Sequence, residues 1–125
     1  MGHGMIWSKR GIEWSYSGRV SGQEIIESQL GIYGDPRFDE LKYQLIDLSS
    51  VDCFEVSEQD MKKVAHLDKA AARSNSKIRL AVVATSEQAI ELLDQYTKYG
   101  GEKHWENAAF ASRTAAEEWL GLSQI

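Results

Sequence analysis

The chain has one cysteine and one proline in 125 residues. A lone cysteine, Cys53, excludes a framework of internal disulfides, and a length of 125 residues is enough to bury a single core without staples or metal. Long apolar runs are also missing. The longest, from Leu80 to Ala84 with Ile78 before it, is far too short to cross a bilayer. The start of the chain lacks a charged segment followed by a long apolar one, so no secretory signal is read there and a cytoplasmic location is expected. Excess positive charge is lacking too: the formal net charge is -5, and the basic residues are dispersed. Lys62, Lys63, Lys69 and Arg73 do share one segment, but Glu58, Asp60 and Asp68 interleave with them, which reads as a solvated face rather than a nucleic-acid surface. Neither G-x-G-x-x-G nor G-x-x-x-x-G-K-[ST] occurs, which removes the common phosphate-binding loops. His3, His66 and His104 are scattered, and Cys53 has no histidine or cysteine at a ligand spacing, so neither a metal site nor a cofactor is expected.

What is present is the pattern of an α/β layered domain. Met5 to Lys9 and Ile12 to Ser17 alternate apolar and polar residues around Arg10-Gly11, the signature of an antiparallel hairpin; residues 1–4 read as a flexible start. Ser21 and Glu24 form a capping box for a helix whose apolar stripe is Ile26, Leu30 and Tyr33, and Gly34-Asp35-Pro36 ends it. Leu45 to Leu48 reads as a buried strand followed by a polar turn at Asp52 to Glu55. Ser57 and Asp60 then cap a second helix, with Met61, Val64, Ala65, Asp68, Ala71 and Ala72 on one side. Ile78 to Ala84 is the most apolar strand. Thr85 or Ser86 starts a third helix, with Gln88 placed to complete a box from Thr85 and with Ala89, Ile90, Leu93 and Tyr96 on one face, and Gly100-Gly101 stops it. His104 to Ala111 reads as an edge strand, and Ser112 caps a last helix that ends at Gly121. The order is ββαβαβαβα in a single domain over residues 1–125.

These pieces, in this order, resemble the SpoIIAA-like or STAS domains, in particular the small stand-alone STAS/SEC14-like branch. The resemblance covers most of the chain. It rests on Gly18-Arg19-Val20-Ser21-Gly22, Asp35-Pro36-Arg37-Phe38, Leu45-Ile46-Asp47-Leu48-Ser49-Ser50-Val51, Ile78 to Ala84 and Ala116-Glu117-Glu118-Trp119-Leu120-Gly121. It implies a SpoIIAA-like mixed sheet, an N-terminal antiparallel hairpin followed by βα units, and a non-enzymatic role. In the anti-sigma-factor antagonists of this family an Asp-Ser-Ser-Gly motif carries a phosphorylated serine at a helix start. Here that motif falls on Glu55-Val56-Ser57-Glu58: Ser57 matches the phosphorylated serine, while Glu55, Val56 and Glu58 depart from the pattern. Ser57 is therefore read both as a helix cap and as a phosphorylation candidate.

Loops leaving the carboxyl ends of strands carry function in open α/β sheets, so Asp52, Cys53, Phe54, Glu55, Val56, Ser57 and Glu58 are the expected interaction loop. Asp47 and Asp52 flank the strand end and read either as an acid pair or, for Asp52, as turn capping. Cys53 reads as a small buried hydrophobe, or as a nucleophile were a histidine to fold beside it. No catalytic set is assembled by the sequence. A protein partner is expected, with a homodimer as the assembly. The alternative is a carrier or sensor of a small apolar ligand, suggested by aromatics such as Trp14 and Tyr16 on one strand face and by the SEC14 part of the resemblance. Neither nucleic acid nor stable membrane insertion is expected.

Overall fold

The computed structural model describes residues 2–8, 10–100 and 105–122. Its element order is β1 (Gly2–Trp7), β2 (Gly11–Ser21), α1 (Gly22–Tyr33), a 3-10 turn (Pro36–Glu40), β3 (Tyr43–Glu55), α2 (Glu58–Ser74), β4 (Arg79–Val83), α3 (Glu87–Gly100), β5 (Glu106–Phe110) and α4 (Arg113–Leu120). The five strands form one mixed sheet in sequence order, with β1 antiparallel to β2 and the remaining neighbours parallel. Gly2 to Gly4, expected to be flexible, instead pair with Ser17 to Ser15 and extend the hairpin. His104, expected to open the last strand, and Gly101 lie outside the described residues.

Each parallel crossover moves one strand further in the same direction. The right-handed rule for such connections therefore sends α1, α2 and α3 to the same face of the sheet. Two apolar clusters lie beneath them, one around Ile12, Trp14, Tyr16 and Ile32 and one around Met61, Val64, Leu80, Val82 and Tyr96. The opposite face of β3 and β4, through Leu45, Ala81 and Val83, is covered by Ala116 of α4, with Trp119 and Leu120 beside it. Both faces of β4 are thus covered, which is what its unbroken run of apolar residues demands.

The buried side chains of Trp14, Gln44 and Asn75 are hydrogen-bonded. Trp14 Nε1 donates to Gln44 Oε1 over 3.1 Å, both residues being buried. Asn75 Nδ2 donates to the carbonyls of Phe38 (2.9 Å) and Leu41 (2.8 Å), fastening the 3-10 turn to the entry of β4.

The serine caps of α1, α2 and α4 stand where the sequence places them, and α3 differs. Ser21, Ser57 and Ser112 each accept the amide of the residue three positions on, and Gly121 closes α4 in the left-handed region at φ 77°. At α3 the cap is Ser86, which accepts from the Ala89 amide, and Gln88 donates to the Phe54 carbonyl rather than completing a box with Thr85. The stripe of α1 also differs from the expectation. Ile26 and Tyr33 pack against the core as expected, but Leu30 is 50% exposed, and Gln29 and Ile32 are the residues buried beside them. Ile90 of α3 is likewise exposed, and Leu92 takes its inward place.

Candidate functional site

The helical period puts Met61, Val64, Ala65, Asp68 and Ala72 on the inward side of α2. A carboxylate is carried into the core with them: Asp68 is 2% exposed, the only buried acid among the described residues. It is therefore not one of the surface acids interleaved with Lys62, Lys63, Lys69 and Arg73, as the charge pattern suggested. Glu58 is exposed and Asp60 half-buried, so they alone keep that role.

Two phenols converge on this carboxylate from the flanking helices. Tyr96 of α3 donates to Asp68 Oδ2 over 2.6 Å, and Tyr33, the last residue of α1, donates to Oδ1. Gln29 Oε1 lies 3.4 Å from the same Tyr33 hydroxyl, one turn back on α1. Tyr16 stands nearby on β2, its hydroxyl 2.7 Å from Ser28 Oγ. Burial pushes the Asp68 carboxyl up to about 6, because desolvation outweighs the two phenol hydrogen bonds that favour its charged form. The same burial, with the negative charge of Asp68 beside them, raises Tyr33 and Tyr96, and burial pushes Tyr16 up to about 12.

Beside Asp68 is a cavity of about 60 Å3 between the sheet and the three helices. Its wall is apolar apart from Asp68, Gln29 and the hydroxyl ends of Tyr16 and Tyr96, with Ile46, Leu48, Leu80 and Val82 from the sheet and Ile25, Met61, Val64 and Leu93 from the helices. It is large enough for about two waters or a hydrocarbon group of two or three carbons. The face carrying Trp14 and Tyr16 is thus covered from within the chain, by α1, and Tyr16 reaches the cavity.

The segment expected to be the interaction loop is built differently. Strand β3 runs on through Asp52, Cys53, Phe54 and Glu55, because β2 is long enough to pair with it: Arg19 stands opposite Cys53, Val20 opposite Phe54 and Ser21 opposite Glu55. Val56 and Ser57 alone connect the strand to α2. Phe54 is buried, Cys53 half-buried, and Asp52, Glu55, Ser57 and Glu58 are exposed. Ser57 Oγ accepts from the Asp60 amide at 3.1 Å, and Asp60 Oδ2 accepts from the Ser57 amide at 3.0 Å, a complete capping box. Glu58 accepts from the Tyr99 hydroxyl, and Arg19 lies 3.7 Å from Glu55 in an exposed pair of small energetic weight.

Asp47 does not join Asp52 as an acid pair. Its Oδ1 accepts from the amide (2.9 Å) and hydroxyl (2.6 Å) of Ser49, and its Oδ2 lies 3.8 Å from Arg113 of α4, which also pairs with Glu13 and Glu117. His66 is exposed on α2. Among the described residues no group of three or more His, Cys, Asp or Glu side chains is placed to hold a metal ion, and no helix is long and apolar enough to cross a membrane.

No protein-family model matches the sequence, and no curated protein matches it. Among solved structures the chain is similar to an uncharacterized protein of the DUF3478 family with a SpoIIAA-like fold, from Shewanella loihica PV-4. The two superpose with a TM-score of 0.55 at 16% sequence identity, over 95% of this chain and 92% of that one. The fold is SpoIIAA-like, a mixed five-stranded sheet with four helices.

The sequence reading missed the acid and its two phenols as a group. The signal was present in part: an aspartate at the i+7 position from Met61, on a stripe otherwise made of Val and Ala, has to be buried with the stripe. Its partners, Tyr33 and Tyr96, lie 35 and 28 residues away, and only the packing of three helices brings them together.

Proposed function

We propose that this chain is a non-catalytic binding domain for a small molecule with an apolar body and one polar group, held between the sheet and helices α1, α2 and α3. The observation that carries the reading is the apolar cavity with a single buried acid in its wall. An apolar lining with a few convergent polar groups is typical of small-ligand sites, and the cavity's small volume restricts it to ligands of a few heavy atoms. The test is native mass spectrometry of the protein purified from its own host, before and after denaturation. A non-covalent mass lost on denaturation supports the reading; a protein free of ligand that also fails to bind the small amphiphiles named below overturns it.

A second reading is a regulatory, protein-binding module, acting as a homodimer through Asp52 to Glu58. It is favoured by the exposure of Glu55, Ser57 and Glu58 side by side where β3 gives way to α2. Phosphate mapped to Ser57 in the same spectra, on a dimer free of ligand, would favour it over the first.

A further inference from the structure

We infer that Asp68 selects the ligand's polar group, and that the cavity takes a small primary amine with a short apolar body, its ammonium group set against the Asp68 carboxylate. This deepens the ligand-binding reading and rests on it. An ionised carboxylate offers about four acceptor positions, and two phenol hydroxyls occupy one on each oxygen. Acceptor capacity is left on a group that lines the cavity. Among the described residues its charge is also left without a cation: no lysine, arginine or histidine lines the cavity, and no basic side chain pairs with Asp68. A buried charge with no counter-ion is costly, and a ligand that brings the missing cation removes that cost on binding.

The groups facing Asp68 reinforce the sign. From α1 it meets the Tyr33 hydroxyl, from α3 the Tyr96 hydroxyl, and from β2 the more distant Tyr16, whose own surroundings include the negative Glu24. The strands contribute Ile46, Leu48, Leu80 and Val82, which are neutral. The charged groups acting on this end of the cavity are thus acidic. An alkylcarboxylate would place a like charge there, an alcohol would gain one hydrogen bond, and an ammonium would gain hydrogen bonds strengthened by opposite charge. Since burial raises the Asp68 carboxyl to about 6, the carboxylate is present at pH 8 and mostly protonated at pH 5, while an alkylammonium, like lysine with its pKa of about 10.4, stays charged throughout.

The experiment is calorimetric titration of the full chain with n-propylamine, n-propanol and propionate at pH 8 and pH 5. Equal chain length holds the apolar contribution constant, so differences report the head group. Propylamine is expected to bind at least about tenfold more tightly than propanol at pH 8, with propionate weakest, and to lose most of that advantage at pH 5. Asp68→Asn should bring amine and alcohol together at both pH values by weakening the amine alone. The comparison of wild-type protein at two pH values needs no variant to fold. If propanol or propionate binds as tightly as propylamine at pH 8, or if Asp68→Asn keeps the amine preference, the amine inference falls and ligand binding stands. If none of the three binds, both fall.

Discussion

The Tyr96 hydroxyl donates to Asp68 Oδ2 across 2.6 Å, and this bond ties α3 to α2 at the wall of the apolar cavity. Tyr33 takes the other oxygen from α1, so one carboxylate gathers three helices. Tyr96→Phe keeps the ring and removes the donor. A hydrogen bond to a buried charged group contributes about 1.5–3 kcal/mol, so the variant should lose stability of that order at pH 8. The loss should be smaller at pH 5, where the carboxyl is largely protonated. Urea unfolding of both proteins at the two pH values measures it; equal losses at pH 5 and pH 8 would mean that the bond does not depend on the charge.

The raised carboxyl of Asp68 makes folding pH-dependent. An unfolded aspartate titrates near 3.9 and the folded one near 6, so between these values the folded chain holds more protons than the unfolded chain. Stability contributed by this group is therefore full below about pH 4, falls as pH rises to 6, and stays lost above it. The shift of about two units corresponds to about 3 kcal/mol at most. Asp68→Asn removes the titration, so its stability relative to the wild type should improve by an amount of that order between pH 4 and pH 7. A constant difference across that range would show that Asp68 titrates alike in both states.

The elements of the fold are legible because each is written locally. Alternation marks β2, the apolar run marks β4, and Ser21, Ser57 and Ser112 announce helices that begin where they stand. Errors arise where a neighbour decides. The sequence cannot show that β2 reaches Ser21, and it is this length that holds Asp52 to Glu55 in β3 rather than in a loop. Gly2 to Gly4 have no strand propensity of their own and are ordered by pairing with Ser15 to Ser17. The stripe of α1 is misjudged at one place, because Gln29 is polar and Leu30 apolar. What turns Gln29 inward is the company of Tyr33, whose hydroxyl lies near it and bonds to Asp68 from another helix. The candidate site is less legible than the fold for the same reason. Its acid is visible as an odd member of an apolar stripe, but its partners are assembled only by packing.

Gly22 opens α1 and lies against the Asp60 carboxylate, where a Cβ would overlap the side-chain oxygen and carbon. Alanine in a helix ordinarily stabilises by about 0.4–1 kcal/mol relative to glycine, through the unfolded chain. Here the carboxylate that would have to move is the one accepting from the Ser57 amide, so the methyl group breaks half of the capping box of α2. Overpacking costs about 1–3 kcal/mol, which outweighs the gain. Gly22→Ala should therefore lower stability, by about 1 kcal/mol or more, and Gly22→Ala combined with Asp60→Ala should lose less than the two changes summed. Chemical denaturation of the two single variants and the double variant decides it; additive losses would separate Gly22 from the cap.

Ser57 carries two expectations that one pair of variants can separate. As a cap its Oγ acts as acceptor for the Asp60 amide, which leaves its hydroxyl hydrogen free. Ser57→Ala removes the acceptor and should cost about 1 kcal/mol, whereas Ser57→Asn supplies another good capping oxygen and should retain nearly full stability. A phosphate on Ser57 would add about -1.5 to -2 charges beside Asp60 and Glu58. The favourable helix N-terminus and the repulsion from these two acids then oppose each other, and asparagine reproduces neither. If Ser57 is only a cap, Ser57→Asn should match the wild type in stability, subunit number and partner capture from host extract, measured by denaturation, light scattering and affinity purification. If it is a switch, Ser57→Asn should be as stable as the wild type yet lack the phosphate-dependent change in assembly. Loss of stability in both variants would instead mean that the side chain of Ser57 makes a contact that the cap geometry does not describe.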